Sequence, residues 1–160
     1  MNFSMKRLGL VFIMVFLLGS IATAQRKTFA IDDVDSLMQT ERKPILVLLS
    51  TNWCTYCHMQ KKQLEKDKDF LKKADNLYHV IFDAERESPV IFNKQLFRYK
   101  PNGTSSGIHE LAVALNGSEK IAFPTWVILD TNYQITFRHN GVLGTKQLKI
   151  VLDELDLINK

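Results

Sequence analysis

Only two cysteines, Cys54 and Cys57, occur among the 160 residues of the chain. That scarcity excludes several designs. A secreted scaffold stapled by several disulfides needs more pairs, and a closed structural zinc site needs four ligands, for which there is no second cysteine pair. The two stand three positions apart, so a bridge between them closes a ring too small to restrict the unfolded chain much. A pair that staples so little is better suited to react. The chain also lacks a strong charge of one sign, with 21 Lys and Arg against 17 Asp and Glu. Lys61, Lys62, Lys66, Lys68, Lys72 and Lys73 are interleaved with Glu65, Asp67 and Asp69. This reads as a solvated helical face rather than a phosphate-binding stripe, and no nucleic-acid partner is expected. Internal repeats and low-complexity segments are absent too.

What is present begins with a leader. Lys6 and Arg7 precede an apolar run from Leu8 to Leu18, and Ala22-Thr23-Ala24 follows. That is the three-part pattern of a secretory signal peptide over residues 1–24, with cleavage expected before Gln25. No cysteine sits there to carry a lipid. The alternative is a retained membrane anchor, for which the apolar run barely approaches the roughly 20 residues a span requires. Residues 25–160 then form one domain, expected to be monomeric, since that length supports a single core. A bacterial periplasm is the expected location.

Along this domain, Asp32 or Asp33 is placed to cap a short helix carrying Val34, Leu37 and Met38. Pro44 ends it. Ile45 to Leu49 is a continuous apolar run, as expected of a strand buried on both faces. Ser50-Thr51-Asn52 supplies turn chemistry. A helix follows from Cys54 through Met59 and Leu64 to Phe70 and Leu71, either continuous or broken near Asp67. Leu77 to Phe82 reads as a second strand ending at Asp83. Residues 125–129 and 134–138 flank Asp130-Thr131-Asn132-Tyr133 as a hairpin, with Trp126, Tyr133 and Phe137 packed on the core. Thr145 is placed to cap a last helix burying Leu148, Ile150, Val151, Leu152, Leu155 and Leu157. The segment of about 88–120 is less regular: Pro89 to Phe97 and His109 to Leu115 are expected as short helices around a flexible Pro101–Gly107 turn. His109 and His139 are expected at the surface or in loops. Strands alternating with helices, followed by a hairpin, imply an α/β domain with a mixed sheet.

A Cys-x-x-Cys at a helix start has a physical logic. Unpaired N–H groups and partial positive charge there stabilise a thiolate, which makes Cys54, the outer cysteine, the nucleophile. Cys57, one turn further in, is placed to attack a mixed disulfide formed on Cys54.

Lys43-Pro44-Ile45-Leu46-Val47-Leu48 with Trp53-Cys54-Thr55-Tyr56-Cys57 resembles the active-site strand and motif of the thioredoxin family. Phe123-Pro124-Thr125 resembles its cis-proline motif, and Gly141 to Leu148 its last turn and C-terminal helix. The resemblance lapses between Asp83 and Phe123. It implies a thioredoxin fold, a central mixed sheet flanked by helices with an insertion (about 88–120) before the cis-proline strand. It further implies that Pro124 is cis and faces the cysteines, that the Phe123 backbone pairs with an extended substrate, that Trp53 shields the motif, and that Gly141 lets the backbone come close. The implied activity is protein-disulfide reduction outside the cytoplasm, with no cofactor or metal. The implied partners are substrate proteins and an upstream dithiol donor, a membrane electron carrier among the candidates. The insertion reads either as a partner-recognition cap or as neutral decoration. One position departs from the family: its buried acid falls at Leu48. His58 and His79 are the candidates to handle the proton instead.

Rival readings remain. A thiol oxidase or isomerase shares this framework, because direction depends on a redox potential that composition does not reveal. A redox-silent binding module, or an inert structural pair, keeps the cysteines without turnover. Cys54-Thr55-Tyr56-Cys57-His58 also matches the Cys-x-x-Cys-His pattern of c-type haem attachment, which leaves the strand before it and the Pro124 run without a role.

Overall fold

The computed structural model describes residues 28–158, with side chains as far as residue 155. The leader and the side chain of Leu157 lie outside the described residues. The strands are β1 (Ile45–Ser50), β2 (Tyr78–Asp83), β3 (Val90–Phe92), β4 (Gln95–Phe97), β5 (Tyr99–Pro101), β6 (Gly107–His109), β7 (Thr125–Leu129) and β8 (Ile135–Asn140). The helices are α1 (Val34–Thr40), α2 (Thr55–Leu64), α3 (Lys68–Lys73), α4 (Glu110–Asn116) and α5 (Thr145–Ile158). No helix among the described residues is long and apolar enough to cross a membrane.

The central sheet runs β2-β1-β7-β8, with β1 parallel to β2 and antiparallel to β7, and β7 antiparallel to β8. It is mixed, as the element order predicts. β1 is buried at every position, because alternate residues enter two separate cores. Ile45, Val47 and Leu49 pack with Val34, Phe82 and Leu111 on one face. Leu46 and Leu48 pack with Leu64, Phe70, Trp126 and Leu152 on the other.

The helix break falls where expected. Asp67 caps α3, accepting hydrogen bonds from Asp69 N–H (3.1 Å) and Phe70 N–H (2.9 Å). The other two expected caps need correction. Asp32 is drawn into an ion pair with Arg86 (2.6 Å), Asp33 makes no side-chain cap bond, and a short 3-10 turn, Ile31–Asp33, leads into α1. At α5, Gly144 precedes the helix and its N–H donates to Oε1 of Gln147 (3.0 Å), half of a capping box that leaves Thr145 inside the first turn. Ile150 is also corrected: Leu148, Val151, Leu152 and Leu155 share one helical face, and Ile150 falls opposite them, 62% exposed.

The intervening segment departs most from expectation. Pro89 to Phe97 is not a helix but the β3–β4 hairpin. Asn93 (φ 49°) and Lys94 (φ 62°) take the left-handed conformation at its turn, the geometry of a tight hairpin loop. Their N–H groups both donate to the Asp35 carboxylate, at 2.8 and 2.9 Å, and the Tyr133 hydroxyl donates to it at 2.9 Å. The flanks of the expected flexible turn are paired as well, Pro101 opposite Gly107, in the β5–β6 ribbon. α4 forms where a helix is expected, but His109 before it is fully buried rather than at the surface. Its Nδ1 caps the helix by accepting from Leu111 N–H (3.1 Å), and its ring lies edge-on to Phe82. Val90, Phe92, Leu111 and Leu115 all enter the first core, so this segment closes one face of the sheet.

Candidate active site

β1 delivers the chain through Thr51 and Asn52 to Cys54, which occupies the N-cap of α2 in an extended conformation. The Cys54 N–H reaches back to the Thr51 carbonyl (3.4 Å). Cys54 and Cys57 are joined as a disulfide with their Cα atoms 5.2 Å apart, and Sγ of Cys54 accepts a hydrogen bond from Cys57 N–H (3.0 Å). The sulfur therefore fills the role a serine or aspartate oxygen plays at other helix starts. When the bond is reduced, that donor and the α2 dipole favour charge on Cys54. Cys57 has no exposed surface and Cys54 has 4%, so Cys54 is the one of the pair with surface open to solvent.

The Phe123–Pro124 bond is cis and Pro124 is buried. Two contacts fix this loop: the Pro124 carbonyl accepts from Gly141 N–H (2.7 Å), and the Thr125 hydroxyl donates to the Ala122 carbonyl while lying 2.9 Å from Oδ1 of Asn140. Gly141 has φ 106°, which favours glycine. A Cβ there would meet nothing within 4 Å, so the expected close approach is replaced by a backbone requirement. The backbone of Phe123 makes no hydrogen bond among the described residues. Trp53 stands next to the motif at the surface. It is 66% exposed, edge-on to Phe123 with ring centroids 5.9 Å apart, and its Nε1 donates to the Glu85 carboxylate at 3.0 Å.

Leu48 is fully buried and pairs with Ile81 on one side and Trp126 on the other, so its partners in the sheet are apolar as well. The two histidines are placed differently from each other. His58 is exposed, and its Nε2 donates to the Asn52 carbonyl (2.9 Å), bracing the turn before the cysteines. His79 pairs with Leu46, four residues before the end of β1, or roughly 13 Å of strand at about 3.3 Å per residue. It packs edge-on to Phe70, and burial drives its pKa down to about 4. The structure therefore does not bring His79 to the cysteines; the strand register carries it to the far end of the sheet. His109, on the other core, is also held low by burial, with the Ser88 backbone pulling the other way. Nε2 of His109 has no hydrogen-bond partner among the described residues.

Sequence reasoning missed two supporting residues. Gln60 is fully buried and pairs with Leu143 much as a strand would: Oε1 accepts from Leu143 N–H (2.8 Å) and Nε2 donates to its carbonyl (3.2 Å). The spacing of Cys57, Gln60 and Leu64 along one helical face was the available signal. Glu85, which holds Trp53, carries no such signal. No group of His, Cys, Asp and Glu able to hold a metal ion occurs among the described residues.

A family of thioredoxin-like domains matches residues 32–156. Among solved structures the chain is similar to the DsbH oxidoreductase, with 19% identity, 86% of this chain and 89% of that chain covered, and a TM-score of 0.55. It is similar to chloroplastic thioredoxin z, at 15% identity, with 82% and 96% covered and a TM-score of 0.52. It is similar too to the germline-specific thioredoxin Deadhead of Drosophila melanogaster, at 14% identity, with 81% and 97% covered and a TM-score of 0.52. Likeness at these identities establishes the shared fold. No curated protein sequence matches the chain.

Proposed function

The chain belongs to the thioredoxin-like domain family, and on that premise we propose that it is an exported thiol:disulfide oxidoreductase that reduces disulfides of substrate proteins. The observation that carries this reading is Cys54 at the N-cap of α2, bonded to Cys57 and accompanied by the cis Phe123–Pro124 bond. In the reduced protein, the Cys54 thiolate attacks one sulfur of a substrate disulfide. A mixed disulfide forms, and the other substrate sulfur leaves as a thiolate and takes up a proton. Cys57 then loses its proton and attacks Sγ of Cys54, releasing the second substrate thiol and leaving the disulfide described above. Two electrons pass to the substrate, and an upstream dithiol returns them. The unpaired Phe123 backbone offers an extended substrate segment hydrogen bonds beside Cys54. Export rests on the pattern of residues 1–24, and a bacterial periplasm is the proposed location.

With Leu48 in place of an acid and His79 at the far end of the sheet, the Cys57 proton leaves without a buried carboxylate to receive it, and His58, beside the pair in sequence, is the remaining candidate to take it up. Direction is tested by equilibrating the protein with glutathione buffers. A potential near about −270 mV supports reduction, and one near about −120 mV overturns it in favour of oxidation. Cys57→Ser is expected to accumulate mixed disulfides with substrate proteins, whereas Cys54→Ser abolishes turnover. Retained turnover in Cys54→Ser removes the dithiol reading altogether.

A further inference from the structure

A cavity of about 530 Å³ opens beside Trp53 and Phe123, the two aromatic residues that flank the cysteine motif and the cis bond. Its far wall comes from the β5–β6 ribbon and the loop before Phe123, through Ser106, Gly107, Ile108 and Ile121. A second cavity, of about 680 Å³, lies over the β3–β4 hairpin and α4. The two share Asn102, Ile108 and Glu119 and so adjoin, together outlining a trough that begins at Trp53 and Phe123.

The chemistry changes along its length. Among the residues lining the first cavity the charged ones are Glu85 and Glu119, both acidic. The second cavity presents Leu96, Phe97, Ile108 and Val113, and Leu96 is 46% exposed. Its charges nearly balance: Lys100 pairs with Glu110 (3.2 Å), and Glu119 and Lys120 stand at the same wall. A partner that continues from the Phe123 backbone therefore first meets negative charge and then an apolar floor.

We propose that this trough is a substrate-recognition site, and that its occupant is an extended segment of the substrate protein with a basic residue close to the reacting cysteine and apolar residues beyond it. The proposal rests on the dithiol-exchange reading and adds selectivity to it. The segment between Asp83 and Phe123 thus has two roles, an inward face that enters the core and an outward face that selects substrates. Charge opposite Glu119 sets preference and encounter rate, while the apolar floor adds contact area.

The test compares rates at which the reduced full chain is oxidised by three disulfides. One is dithiodipyridine, a small neutral molecule with no extension to occupy the trough. The others are short extended peptide disulfides with leucines beyond the cysteine, one with lysine beside it and one with glutamate. The wild-type chain is expected to react with the lysine peptide about tenfold faster than with the glutamate peptide. Glu119→Lys should reverse that preference. Leu96→Ser should slow both peptides by roughly threefold, a modest loss for an exposed apolar contact. Both variants should keep the wild-type rate with dithiodipyridine. Equal rates for the two peptides, or variants that treat them as the wild type does, overturn the trough. Failure of the wild-type chain to react with dithiodipyridine overturns the dithiol reading beneath it.

Discussion

On one face of the sheet, α2, α3 and α5 cover Leu46, Leu48 and Trp126, whereas on the other, α1 and α4, seven residues each, leave room that Val90 and Phe92 of the β3 strand help to fill. The first face is closed by helices whose burial follows simple periodicity. The second has, besides its apolar core, one carboxylate, Asp35, which takes hydrogen bonds from residues 58, 59 and 98 positions away. The difference teaches a division of labour. The helix that carries the cysteine pair stands on the face built from regular elements, and the proposed trough lies on the face where long-range polar contacts supplement the apolar core.

The largest expected effect sharpens the contrast through pH. His79 lies on the helical face with its pKa lowered by burial to about 4. The unfolded chain binds that proton more readily, so the contribution is complete above pH about 6.5 and is lost as the pH falls towards 4. The loss amounts to about 3 kcal/mol. Denaturant midpoints measured across this range should slope steeply for the wild type and less for His79→Leu. Equal slopes would mean that the acid sensitivity belongs to other groups.

Next in size is Asp35→Ala, which leaves the Asn93 and Lys94 N–H groups without their acceptor. A loss of about 2 kcal/mol is expected. The Tyr133 phenol reports on the same contact: burial first, then its hydrogen bond to Asp35, hold its pKa above the ordinary tyrosine value. An absorbance titration should show it falling in the variant. If neither stability nor titration moves, the second face is not held as described.

The smallest effect is expected at Ile150, which projects from α5 away from the helical face, 62% exposed. Ile150→Lys should change stability by less than about 0.5 kcal/mol, read from the same denaturation curves. A loss of several times that size would mean that α5 buries a wider face, and would blur the contrast.

The same contrast governs what the amino-acid sequence reveals. β1, the break at Asp67, the β7–β8 hairpin and the Cys54–Cys57 pair are legible because each depends on neighbours in sequence: an apolar run, a capping side chain, turn residues or a three-residue spacing. The β3–β4 hairpin is not, because the left-handed pair Asn93-Lys94 is stabilised by Asp35, more than fifty residues earlier. His109 misleads for a related reason. A polar residue beside a glycine-rich stretch suggests a loop, yet its ring serves as a helix cap inside the core. Within the site, Gln60 and Glu85 act across 83 and 32 positions, beyond any periodic pattern.

The pairing of Gln60 with Leu143 has a mechanical consequence. α2 carries the cysteines at its start and Gln60 one turn beyond Cys57; Leu143 stands two residues from Gly141, whose N–H holds the Pro124 carbonyl. Chain and hydrogen bonds thus close a bracket that runs from the sulfurs to the proline and back. An amide buried behind the motif thus ties the helix that starts at the cysteines to the loop that holds Pro124.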